Sequence, residues 1–336
     1  MSRPFTSTAT SGPGAAPAAP RSWRLRTLFG SRPLQRVGRG LALVATLGLL
    51  YWGGLGWLAH RIDTNPAFAP AEWTPGGSRA VDMAVALVER EVETYRWTVN
   101  DPWFFHTGLL DNMPNFQLGV MRAVGRFSLE LLDKISRTRG SSATDGDLER
   151  AVGLLQFPGD VWIVDFDNSW LPVMPSEVQY RAGMRALAAY NARLAEGDAV
   201  FQPRADVLAL TLNRINADLG SRAALVDRHV QRGRFVLDTE ADDIFYLNKG
   251  MLYANYLMLR ELGRDFETVI QTHGLTAVWG QAMDSLRRAA QLQPMVVLNA
   301  PGENSIFANH LFLQGFYMKR AIMQIDEVAR VLMVRG

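Results

Sequence analysis

The chain of 336 residues carries 35 Lys+Arg against 33 Asp+Glu, is 48% hydrophobic and 20% charged, and contains no cysteine. That is enough chain for one large or two ordinary domains, and it excludes a collagen-like, disulfide-stapled or wholly disordered protein. The lack of cysteine also removes thiolate nucleophiles, iron–sulfur clusters and cysteine-containing zinc sites.

Charge is unevenly placed. Residues 1–40 hold seven arginines and no acidic residue, a charge of +7, so the formal net charge of +2 leaves −5 on the remainder. A basic tail is joined to a mildly acidic body, and nucleic acid is not an expected partner. Residues 1–20 contain four prolines, five alanines, two glycines and six Ser/Thr. Such a composition buries too little apolar surface to offset the entropy of ordering, so residues 1–40 read as a disordered basic cytoplasmic tail.

Residues 41–59 read LALVATLGLLYWGGLGWLA, nineteen residues without a charge. At about 1.5 Å per residue this run matches the roughly 30 Å hydrocarbon core of a bilayer and predicts a transmembrane helix. A cleaved signal peptide is the rival reading, with Ala67-Phe68-Ala69 as a cleavage site. Against it stand the forty residues before the apolar run and Pro70 directly after that triplet. Six of the seven arginines lie between Arg21 and Arg39 and only Arg61 flanks the other end. The positive-inside rule then puts the N-terminus in the cytoplasm and the body beyond the membrane, periplasmic in a two-membrane bacterium. Residues 60–77, with Pro66, Pro70, Pro75, Gly76 and Gly77, read as a linker.

From residue 78 to 336 the dominant period is helical, and the expected fold is mainly α: one N-terminal span followed by a bundle-like helical domain. Ser78 caps a helix whose face carries Val81, Val85, Val88, Val92 and Tyr95. A second runs through Phe116, Val120, Phe127, Leu131 and Ile135, and Asp147 is the expected cap of a short third. Further helices are expected from Pro175-Ser176-Glu177 to Gly197, from Pro203 to Leu219, from Thr239 to a stop at Gly263, over 264–272 and over 275–293. The last begins near Asn304-Ser305 and carries the seam Leu311, Gly315, Met318, Ile322, Ile325, Ala329 and Leu332, a core stripe in preference to a coiled-coil face. Glycines 119, 125, 183, 250 and 315 fall inside these helices, where each costs about 1 kcal/mol relative to alanine, and close helix crossings would explain them.

Two stretches carry chemical signals. Val161 to Ser169, VWIVDFDNS, resembles the first motif of haloacid-dehalogenase-type phosphatases. The resemblance implies Asp165 as nucleophile and Asp167 as acid/base beside a divalent cation. The alternating strand–helix series of such a fold is missing, and a short extended segment ending in a polar turn is the simpler reading. Tyr95, Trp97, Trp103, Phe104, Phe105, His106 and Phe116 form the densest aromatic stretch outside the span. Core packing between two helices is its expected role. The alternatives are an apolar ligand groove at Trp103, Phe104 and His106, or contact with the bilayer interface. Histidines 106, 229, 273 and 310 lack ligand spacing, so no metal site is expected, and no nucleotide cradle or serine-hydrolase elbow is present, so no cofactor is expected.

The layout of basic tail, single span and helical body, with DPWFFHTGLLDNMPNFQLGV at 101–120 and DDIFYLNKGMLYANY at 242–256, resembles a family of uncharacterised bacterial inner-membrane proteins classed as a domain of unknown function. The resemblance implies an inner-membrane location and supplies no active-site residues. The leading expectation is a non-enzymatic, membrane-tethered body that binds a protein partner in the envelope, with the bilayer contacted through residues 41–59. The alternative is a metal-dependent hydrolase using Asp165 and Asp167.

Overall fold

A computed structural model describes residues 32–138, 145–164, 170–232, 239–294, 297 and 309–335. Of the sequence expectations, most of the tail, Asp165, Asp167 and the start of the last helix at Asn304-Ser305 lie outside these residues. The chain divides into two compact units, 1–49 and 50–336. The first holds α1 (Arg32–Gly48). The second opens with a π-helical stretch, Leu49–Leu55, whose first residue belongs to the first unit, and continues with α2 (Gly56–Ala59). Helical geometry over Gln35–Ala59, 25 residues, is long and apolar enough to cross a membrane.

The body is helical, and no strand occurs among the described residues. At its centre is α3 (Arg79–Glu89), which passes into a π-turn at Arg90–Thr94. The valine spacing predicts one buried face. Ala80, Val81, Met83, Ala84, Leu87 and Val88 are in fact all buried, because α4 (Asn112–Thr138), α6 (Ser176–Glu196) and α8 (Thr239–Asp265) surround the helix. Its start is over-determined. Ser78 caps it through Val81 N, as expected, and Asp265 at the end of α8 accepts from Ser78 Oγ (2.7 Å), Arg79 N (2.9 Å) and Ala80 N (3.0 Å). Asn191 of α6 brackets the same residue, taking Ser78 N (2.8 Å) and donating to Ser78 O (3.1 Å). Three orphan amides of the helix N-terminus are thereby satisfied.

Around α3 stand α4 (Asn112–Thr138), α5 (Gly146–Leu155), α6 (Ser176–Glu196), α7 (Ala205–Arg232), α8 (Thr239–Asp265), α9 (Glu267–Thr272), α10 (Thr276–Gln291) and α11 (His310–Arg335). The closest crossing is between α4 and α8. A Cβ on Gly119 would lie 2.1 Å from Leu247 O, and one on Gly250 would lie 2.0 Å from Phe116 O. Each glycine lets the other helix's backbone into the space a side chain would fill. Gly125 faces Leu155 O at 3.1 Å, and Gly183 and Gly315 face the side chains of Leu155 and Val226 at 2.8 and 3.0 Å, so these three are tight but less closed, while Gly153, Gly220 and Gly280 have open space.

Several helix ends differ from the sequence expectations. The cap of α5 is Asp145, two residues before Asp147: its backbone is extended and its carboxylate takes Asp147 N and Leu148 N while pairing with Arg193. Helix α7 runs past Leu219 to Arg232, because Ala223, Val226 and His229 continue its buried face. Helix α8 passes through Gly263, which serves Trp279 of α10, whose Nε1 would be 2.4 Å from a Cβ there, and so does not end the helix. The seam of α11 faces α7 and α10, with Leu311, Met318, Ile325, Ala329 and Leu332 buried, and is a core stripe.

Because a backbone carbonyl cannot swing aside as a side chain does, Gly119→Ala and Gly250→Ala are each expected to destabilise the full-length protein by about 1–3 kcal/mol despite alanine's higher helix propensity. Thermal unfolding in detergent would register this as a drop of about 2–4 °C per kcal/mol. The double variant should lose less than the sum, since either methyl spreads the same crossing. A variant as stable as the parent contradicts the close crossing.

Candidate functional site

The residues that follow the apolar helix are tied down by α8. Tyr253 OH donates to Asn65 O (2.8 Å), Tyr256 OH to Pro66 O (3.4 Å), and Arg260 to Pro66 O (2.5 Å) and Phe68 O (2.8 Å). Arg260 is itself held by Glu261 (2.8 Å), a fully buried carboxylate that also pairs with Arg79 and Arg264. On the other side Arg90 reaches Asp63 O. Its guanidinium is buried, with the rings of Phe68, Tyr95 and Tyr253 at 5.2, 5.0 and 4.9 Å. Cation–π attraction is strongest in such a water-poor cage. Glu91, also fully buried, lies 3.4 Å from Arg90 Nε, and burial pushes its carboxyl up to about 7 against the pull of that arginine.

The loop 101–111 is packed on the last two turns before Ala59. Trp52 Nε1 donates to Phe105 O and His60 Nε2 to Thr107 O, both at 3.1 Å. The rings of Tyr51 and His106 meet edge-on at 5.7 Å. Gly56 is required between them, because a Cβ there would lie 2.5 Å from His106 O. Successive turns fold the loop, Phe105 N to Pro102 O, Gly108 N to Phe105 O and Leu110 N to Thr107 O, and Thr107 is pinned to Asp101. The loop leaves Trp103 (70%), Phe104 (47%), Leu109 (60%) and Leu110 (39%) exposed. A second loop joins it: Trp162 meets Phe104 edge-on at 6.2 Å, Asn100 Nδ2 donates to Val161 O at 2.8 Å, and Ile163 and Met174 add exposed apolar surface. The result is an apolar apron at the C-terminal end of the apolar helix.

The aromatic stretch therefore divides. Trp97 and Phe116 are core, Trp97 donating to Gly159 O at 2.8 Å, whereas Trp103 and Phe104 face out and His106 backs onto the span. Asp165 and Asp167 fall outside the described residues. Among the described residues no three His, Asp or Glu side chains are grouped to hold a metal. Asp111, Asp242 and Asp243 come nearest to such a cluster, and burial, then the charges of Asp111 and Asp243, push Asp242 up to about 6.

Sequence reading did not single out Trp52, Gly56 or His60, nor the Arg90 cage. The charged triplet Glu89-Arg90-Glu91, set between the apolar Val88 and Val92, was the available signal.

The family model for an uncharacterised protein conserved in bacteria (DUF2333) matches residues 83–240 and 234–336, and the chain belongs to that family. No curated protein and no solved structure matches the chain.

Arg90→Gln would leave Glu91 buried without its counter-charge, a loss of about 3–5 kcal/mol when such a carboxylate is ionised. Glu91 already has a raised pKa, so its favourable contribution is complete below pH 4.5 and lost as pH rises through about 7. The variant's deficit in melting temperature should therefore be larger at pH 8 than at pH 6, and Arg90→Gln/Glu91→Gln should remove most of that difference. A deficit independent of pH contradicts the cage.

Proposed function

We propose that this chain is a single-pass protein of the bacterial inner membrane, N-terminus cytoplasmic and body periplasmic, whose body is seated on the outer leaflet and binds an envelope protein as a scaffold. The observation that carries the reading is the packing of loop 101–111 on residues 51–60. If residues 41–59 cross the bilayer, Trp52 lies about 10 Å before the outer end of the span at 1.5 Å per residue. Trp103, Phe104, Leu109 and Leu110, on the loop that Trp52 holds, then fall at the outer hydrocarbon–headgroup boundary. Aromatic and aliphatic side chains favour that boundary. Removing such a side chain from water is worth on the order of 1 kcal/mol even when it is only half buried.

The arginine asymmetry supports the orientation. The ties from Arg90, Tyr253 and Arg260 to residues 63–68 favour a body held close to the membrane over one on a free tether. For a partner-binding role, the support is the outward face of α11, where Phe312, Phe316 and Met323 are exposed.

The native chain has no cysteine, so single-cysteine variants at Leu47, Trp103 and Leu109 take an environment-sensitive fluorophore cleanly. In proteoliposomes all three labels should be blue-shifted and quenched by brominated lipid, Leu47 most deeply. Water-exposed labels at 103 and 109 with a lipid-exposed label at 47 would refute the seat alone, and a water-exposed label at 47 would refute the anchor. For the partner, a photo-crosslinker at Phe316 in cells should give one discrete adduct with an envelope protein, and the lack of any adduct there counts against the scaffold role.

A further inference from the structure

A cleft of about 530 Å³ opens between α4, the 156–159 turn and α7. Leu118, Met121, Phe157 and Met251 give it an apolar wall, and three arginines reach it from the helices. Arg126 is neutralised there, forming a two-point pair with Asp218 at 2.7 and 3.0 Å. Among the described residues no carboxylate pairs with Arg122 or Arg222, and Arg222 donates from Nε to the neutral Asn248 Oδ1 at 2.7 Å. The two guanidinium groups repel each other across the cleft: burial first, and the charge of Arg122 second, pull Arg222 down to about 10. Asn248 is fully buried and its Nδ2 has no acceptor. That amide is not reversed, since Oδ1 must face the Nε donor of Arg222.

Arg222 is half-buried beside the orphaned Asn248 donor and faces the exposed Arg122 across a half-apolar cleft, and with no carboxylate pairing either one among the described residues an anion entering the cleft would relieve their repulsion. Guanidinium forks match the oxygens of a phosphate, and an apolar wall beside them suits a hydrocarbon or ring attached to it. We propose that this cleft binds a phosphate ester carrying an apolar group, with Arg122 and Arg222 gripping the phosphate and the Leu118–Met251 wall taking the apolar part. A membrane phospholipid headgroup region and a soluble phosphate ester share this chemistry.

The probe is hexyl phosphate, titrated by calorimetry onto the full-length protein in phosphatidylcholine nanodiscs, with inorganic phosphate and hexanol alongside. Hexyl phosphate should bind at least about tenfold tighter than either fragment, and both Arg122→Gln and Arg222→Gln should weaken it at least about tenfold. Arg122→Gln also has a readout without ligand: relieved repulsion should leave its melting temperature equal to the parent's or higher, which separates loss of binding from loss of fold. Competition by phosphatidylglycerol in the nanodisc assigns the site to a lipid, and undiminished binding assigns it to a soluble ester. No binding of hexyl phosphate, binding unchanged in both variants, or inorganic phosphate binding as tightly as the ester overturns the proposal.

Discussion

Two positions without side chains, Gly119 and Gly250, let α4 and α8 meet backbone to backbone, and both ends of the proposed membrane contact hang from that crossing. Loop 101–111 enters α4 at Asn112 and carries the exposed aromatics. Helix α8 supplies Tyr253, Tyr256 and Arg260, which hold residues 65–68 on the way from the span. Separate the two helices and the loop and the connecting segment no longer share a frame. Packing alone, with no strand among the described residues to set a register, relies on such steric stops to choose one arrangement of helices among many.

Electrostatics then does inside the body what apolar packing does not. Asp265 and Asn191 settle the start of α3, the helix around which the others are arranged. Arg90 and Glu91 lie at the far end of the same helix, where its geometry widens into a π-turn. A buried ion pair is poor evidence of stability in itself, since desolvation offsets much of the attraction. Here its effect is positional: the ring cage and the reach to Asp63 O make the segment after the span part of the body.

Much of the fold was legible because helices announce themselves through spacing. The valine series of α3, the Ser78 cap, the Gly197 end of α6 and the seam of α11 all follow from periodicity and capping. The role of the helical glycines was legible as well, although which backbone each one admits was not. The misread ends share one cause. Gly263 and Leu219 mark stops only if a helix is judged alone, and tertiary contacts with Trp279 and with the α7 core carry both helices on. The site was less legible for a similar reason. Trp103 and Phe104 stood out by composition, but that they face outward while Trp97 and Phe116 turn inward depends on the docking of the loop at Gly56, 47 residues before Trp103. Arg122 and Arg222, a hundred residues apart on different helices, have no pattern in common along the chain.

The central claim is that the body rests on the outer leaflet with its apron in the lipid. Neutron reflectometry of the full-length protein in a supported bilayer, with contrast-matched lipid, measures where protein density begins relative to the headgroups. The account predicts protein density continuous from the outer headgroup layer into the body with no intervening water layer, and a resolved layer of water between bilayer and body would contradict it.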